Sequence, residues 1–193
     1  MSEKIKIKNT DILSDKWSLL RQVTFEYLKT NGDWQTQKRE IYERGNAVAI
    51  LLYNKSKRTV ILTRQFRLAS FLNGNKGGML IEVCAGMLDE DEKPEDAVKR
   101  ETTEETGFRI DAVTKVLESY MSPGSLTEIL YFFIAEYSDD MKVHEGGGVD
   151  HEQENIEVLE MKFDDAFNMI ETGEIKDAKT IMLLQYIKLK NIL

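Results

Sequence analysis

The chain is 193 residues long, 41% hydrophobic and 31% charged, a balance that excludes intrinsic disorder and fits one soluble domain, or one domain with a small appendage. Its formal charge of −8 disfavours nucleic acid and anionic membranes as partners, because an acidic surface repels polyanions. A lone cysteine, Cys84, allows no internal disulfide, no apolar run reaches the roughly 18 residues of a membrane span, and the opening MSEKIKIKNT lacks the apolar stretch of a secretory signal, so a cytoplasmic protein acting on a small molecule is expected.

Residues 1–43 read as a small antiparallel sheet. Charged and apolar residues alternate over Lys4–Lys8, and Val23, Phe25 and Tyr27 repeat at period two. Asn31-Gly32-Asp33 is a turn signal, and Trp34–Tyr42 reads as the returning strand. Such a sheet is marginal alone and needs a surface to pack on, which a second subunit can supply. Residues 44–193 form the second expected unit. Ala47–Tyr53 is a continuous apolar run, as in a strand buried on both faces. A polar turn follows, then a strand from Thr59, a Gly/Asn loop over Asn73–Gly78 and a further strand over Met79–Cys84.

Pro94 opens a helix, where its missing N–H is no loss, and Gly107 ends it. Val116–Met121 and Ile129–Tyr137 read as strands, His144–Asn155 as an acidic glycine-bearing loop and Ile156–Phe163 as a last strand. Asp164 is the expected N-cap of a helix ending near Gly173, and Asp177–Ile192 carries an apolar stripe at helical spacing. Mixed strands with helices on their faces predict a layered α/β or α+β domain.

The chemistry concentrates on the helix opened by Pro94. Glu101, Glu104 and Glu105 fall on one of its faces, at spacings of three and four residues. Three like charges there repel. A solvated acidic face is one reading, and a site for a hard cation such as magnesium, which takes oxygen ligands, is the other. Two nearby patterns carry no such chemistry. Asp89–Glu92 is no EF-hand loop, since Pro94 stands where glycine is needed, and Gly74–Gly78 lacks the order of a P-loop.

The stretch Gly86-x5-Glu92-x7-Arg100-Glu101-Thr102-x-Glu104-Glu105-x-Gly107-Phe108 resembles the Nudix box, G-x5-E-x7-R-E-U-x-E-E-x-G-U with U apolar. The one departure is Thr102, where an aliphatic residue is usual; its valine-like shape predicts a small packing cost and an intact site. The resemblance implies the Nudix fold, an α/β/α sandwich with a mixed sheet, here with the small N-terminal antiparallel sheet added. It also implies a Mg²⁺-dependent pyrophosphatase. By that resemblance the carbonyl of Ala85 and the carboxylates of Glu101, Glu104 and Glu105 are metal ligands, and Arg100 holds a glutamate of the cluster by paired hydrogen bonds. Glu92 either binds Arg100 or favours the helix dipole. Gly86 lets backbone approach the metal and phosphates.

The flanking segments resemble the branch of the family that cleaves nucleoside diphosphate sugars. Arg64-Gln65-Phe66-Arg67 and Ser122-Pro123-Gly124 are similar to that branch as a whole, and a proline at the place of Pro123 marks its ADP-ribose-type enzymes, whereas Glu43-Arg44-Gly45-Asn46, Phe132–Tyr137 and Gly146-Gly147-Gly148-Val149 are closer to the GDP-mannose pyrophosphatases. The implied reaction is therefore GDP-mannose to GMP and mannose 1-phosphate, with ADP-ribose as the alternative substrate and a non-catalytic sugar-nucleotide sensor as the rival from another class. In that branch the base lies on a loop beyond the helix, which points to Glu152 as base and Glu154 as a further metal ligand. The glycine triplet before them would supply loop motion. The implied substrate contacts are Trp17, Lys38, Arg39, Glu40, Arg67, Gly86, Met87, Glu128 and Lys179, with Arg67 the main phosphate contact. A homodimer is implied too, in which the N-terminal sheet packs on the partner.

Overall fold

The computed structural model describes residues 4–149 and 154–193. The chain divides into two compact units, Met1–Asn46 with Ser119–Leu130, and Ala47–Glu118 with Tyr131–Leu193.

The first unit is built on a three-stranded antiparallel sheet in the order β1 (Ile5–Asp15), β2 (Leu19–Leu28), β3 (Trp34–Glu43). The Asn31–Asp33 turn closes the second hairpin, with the Asn31 side chain accepting from the Asp33 N–H at 3.2 Å. The segment Ser119–Leu130 joins this sheet through Tyr42, whose N–H donates to the Ser125 carbonyl at 2.8 Å. Ile7, Ile12, Leu13 and Trp17 are exposed.

The second unit centres on a mixed sheet. Its continuous path runs β10 (Glu157–Lys162), β5 (Thr59–Phe66), β4 (Ala47–Asn54), β9 (Ile129–Glu136), β8 (Thr114–Tyr120). Two short strands branch from it: β6 (Met79–Glu82) pairs with β5, and β7 (Cys84–Met87) pairs with β4. The sequence reads as one strand over Met79–Cys84. The structure breaks it at Val83, which hands the chain from one partner strand to another while its N–H donates to Thr180 Oγ1 at 2.8 Å. An apolar run carries no mark of such an exchange, because the pairing is long-range.

Among the described residues, four α-helices complete the unit: α1 (Leu68–Leu72), α2 (Pro94–Thr106), α3 (Phe163–Thr172) and α4 (Ala178–Leu189). Strand alternation sends Val48, Ile50 and Leu52 of β4 into one core with Ala97 and Val98 of α2. Its other face meets α4, where Leu183, Leu184 and Ile187 are fully buried. Both faces of β4 are therefore covered, as its unbroken apolar run requires. Pro94 stands in the first turn of α2, and Gly107 ends it in the left-handed region, φ 77°. One expectation is corrected: the N-cap of α3 is Lys162, with Asp164 in the first turn. The short α1, which the sequence did not mark, has no side-chain cap. Asp177 caps α4, its side chain accepting from Thr180 N at 2.9 Å.

A candidate active site on the β7–α2 unit

Arg100 organises the acidic face of α2. Its Nε and Nη2 donate to the two oxygens of Glu92 at 3.1 and 2.9 Å. Nη1 donates to Glu101 at 2.9 Å and to Glu104 at 3.1 Å. Nη2 also reaches the Met87 carbonyl at 3.1 Å, tying α2 to the end of β7. One guanidinium thus offsets three carboxylates that would otherwise repel. The pairing holds the Glu92 carboxyl below its ordinary value and raises that of Arg100. Glu92 therefore binds Arg100, the first of its two expected roles, and it also accepts the Asp89 N–H at 3.1 Å.

Glu105 sits deeper. It is 1% exposed and accepts the Ala85 N–H at 3.2 Å. Burial, then the neighbouring charges of Glu154 and Glu101, push its carboxyl up to about 8 against hydrogen bonds from the Cys84 thiol and Ala85 that favour the charged form. Cys84 is buried, and burial together with Glu105 raises its thiol, so it is an inert structural cysteine. A Cβ at Gly86 would overlap the Glu101 carboxylate, so glycine is required for β7 to lie this close to the acids of α2.

The acidic loop is tied to the far end of α2. Gly147 and Gly148 donate their N–H groups to the carbonyls of Glu105 and Glu104 at 2.9 and 3.1 Å. Gly146, Gly147 and Gly148 all have positive φ. Val149 N–H donates to Glu154 Oε2 at 3.3 Å, and a Cβ at Gly148 would strike the Glu154 side chain. The triplet forms a hydrogen-bonded cap on the last turn of the helix. Glu152, the expected base, lies outside the described residues.

The donor set fits a hard divalent cation. Glu105 is a buried carboxyl facing the charges of Glu101 and Glu154, and a cation among them would relieve both the burial and the repulsion. Gly86 leaves the side-chain-free approach that this needs. Among the described residues no three His, Cys, Asp or Glu side chains already converge as a ligand set; Glu101 and Glu104 are turned to Arg100.

Thr102 occupies the position where the box expects an aliphatic residue. It is fully buried, and its hydroxyl donates to the Val98 carbonyl at 2.5 Å, so the polar group is satisfied within the helix.

Of the other expected contacts, Arg67 and Lys179 converge on Glu82. Arg67 Nε donates to Glu82 Oε2 and Lys179 Nζ to Glu82 Oε1, both at 2.8 Å. Glu82 is a residue that sequence reasoning missed: the partners stand 15 and 97 positions away, and no local pattern marks it. Trp17, Lys38, Arg39 and Glu40 lie in the N-terminal unit, where Trp17 is 93% exposed and Lys38, Arg39 and Glu40 are exposed on β3. Glu128 belongs to the same unit, buried against Arg44 at 3.3 Å.

Residues 43–184 match the model of the NUDIX domain. The chain belongs to the Nudix family. Residues 4–42 match a second model, the GDP-mannose pyrophosphatase NudK N-terminal domain. A curated protein of Citrobacter koseri named GDP-mannose pyrophosphatase is 52% identical over 97% of this chain and 96% of its own length. Proteins of the same name from an Enterobacter species and from Escherichia coli O157:H7 are 50% and 49% identical over the full length of both chains. Nudix membership makes the chain a hydrolase of pyrophosphate bonds. No helix among the described residues is long and apolar enough to cross a membrane.

Proposed function

We propose that the chain hydrolyses the diphosphate of GDP-mannose, giving GMP and mannose 1-phosphate, with Mg²⁺ as the cation. The observation that carries this reading is the end-to-end likeness, about 50% identity, to proteins named for that activity, joined to an acidic cluster with a buried glutamate at its centre. Ala85, Glu101, Glu104, Glu105 and Glu154 would hold the cation. When bound it neutralises the diphosphate and lowers the pKa of water.

The remaining roles fall to the chain's own side chains. Arg100 keeps Glu101 and Glu104 in register through one guanidinium. Arg67 and Lys179 take phosphate oxygens, for which charged donors are well suited. Gly86 and Met87 lie at the end of β7, where the backbone approaches the phosphates, and Glu128 contacts the sugar. Trp17 stacks on the nucleoside, with Lys38, Arg39 and Glu40 beside it. Glu152 accepts the proton of the water that attacks phosphorus in line with the leaving phosphate. The protein works in the cytoplasm as a homodimer, with the exposed apolar residues of β1 and β2 as part of its contact.

A magnesium-dependent hydrolysis panel with GDP-mannose, ADP-ribose and GDP-glucose tests the reading, with products separated by chromatography. The highest kcat/KM belongs to GDP-mannose. A preference for ADP-ribose would leave the reaction class standing and overturn the substrate.

A further inference from the structure

Glu82 is a buried carboxylate that the reaction as described does not use. Its side chain is 4% exposed, and each oxygen carries a separate cation, Arg67 on one and Lys179 on the other. The arrangement is braced from behind. Lys179 is also bound by Asp177 Oδ1 at 2.9 Å, while Asp177 Oδ2 accepts both the N–H and the hydroxyl of Thr180. The Thr180 hydroxyl in turn accepts the N–H of Val83, the residue next to Glu82. The strand exchange at Val83 and the first turn of α4 are thereby locked together around one carboxylate.

A buried acid of this kind fixes direction as well as charge. A guanidinium held by its Nε has its plane set, and the Arg67 side chain is 41% exposed. Glu82 stands three positions before Ala85, so the backbone that carries the carboxylate lies within about 11 Å of the Ala85 backbone. We propose that Glu82 is a positioning residue, which orients Arg67 and Lys179 as a preformed pair for the phosphate oxygens of the substrate. This rests on the reading of the chain as a sugar-nucleotide pyrophosphatase.

The test is steady-state kinetics with GDP-mannose and magnesium on the wild type, Glu82→Gln, Arg67→Gln and the double variant. Turnover by the wild type establishes the underlying reading first; its absence defeats that reading and not the role of Glu82 within the fold. Glu82→Gln raises KM about 10-fold or more with kcat within about threefold, the pattern of a lost ground-state contact. In the Arg67→Gln background the same substitution raises KM by a smaller factor than in the wild type, because one of the two groups it acts through is gone. An unchanged KM for Glu82→Gln, or full additivity in the double variant, overturns the proposal. Where Glu82→Gln does not fold, Arg67→Lys decides: it keeps the charge and loses the oriented fork, so KM rises as in Arg67→Gln. A wild-type KM in Arg67→Lys overturns the proposal.

Discussion

Arg100 grips both oxygens of Glu92, at 3.1 and 2.9 Å, across the first two turns of α2. The same guanidinium holds Glu101 and Glu104, so Glu92 sets the position of the group that restrains the acidic face. Glu92→Gln removes a charged partner and lowers stability by about 1–3 kcal/mol, the range for a hydrogen bond to a charged group. Urea unfolding measures this. The carboxyl of Glu92 is held below its ordinary value of 4.5, so its contribution is present above that value and is lost as pH falls through the lowered one. The variant should therefore show a shallower loss of stability than the wild type on acidification from about pH 6 to about pH 3.

Glu105 has the opposite sign. Its folded value, about 8, lies above the ordinary 4.5, so the folded chain binds the extra proton in that interval. Metal-free protein should lose stability as pH rises from about 4.5 to about 8, and Glu105→Gln should abolish that decline. Saturating magnesium should abolish it too in the wild type, by pairing the carboxylate. Thermal unfolding across pH, with and without chelator, checks both statements.

The helix carrying these acids was legible from sequence because its signals are local: Pro94 at the start, Gly107 at the end and a fixed spacing between. The terminal helix α4 was legible as well, from the spacing of its apolar residues. The exchange at Val83 and the role of Glu82 were not, since both depend on residues far along the chain meeting in space. Asp164 shows the limit of a local rule: a residue type suited to capping sits two positions inside the helix it was expected to start. The glycine triplet was visible as glycine, yet only the structure shows that its N–H groups cap α2.

Gly148→Ala places a Cβ against the Glu154 side chain at φ 81°. Gly77→Ala pays the same backbone strain, φ 83°, with nothing within 4 Å. Each loses about 1–2 kcal/mol from backbone strain, and only Gly148→Ala also lowers kcat, by about 10-fold or more, through displacement of Glu154. Equal kcat in the two variants would remove Glu154 from the catalytic assembly.

Thr102→Val restores the usual aliphatic residue of the box. The lost hydroxyl donates to a carbonyl within the helix, so stability should change by less than about 1 kcal/mol and kcat by less than about twofold. Denaturant midpoints and steady-state rates measure the two quantities.

On the proposed reading, a divalent cation held by the buried Glu105 cluster drives hydrolysis of GDP-mannose. The most direct measurement is GMP and mannose 1-phosphate release by the wild type and by Glu105→Gln, each with magnesium and with chelator. The wild type should release both products rapidly with magnesium alone, and the folded variant should have a kcat at least about 100-fold lower. Comparable turnover in Glu105→Gln, or turnover by the wild type that survives chelation, would contradict it.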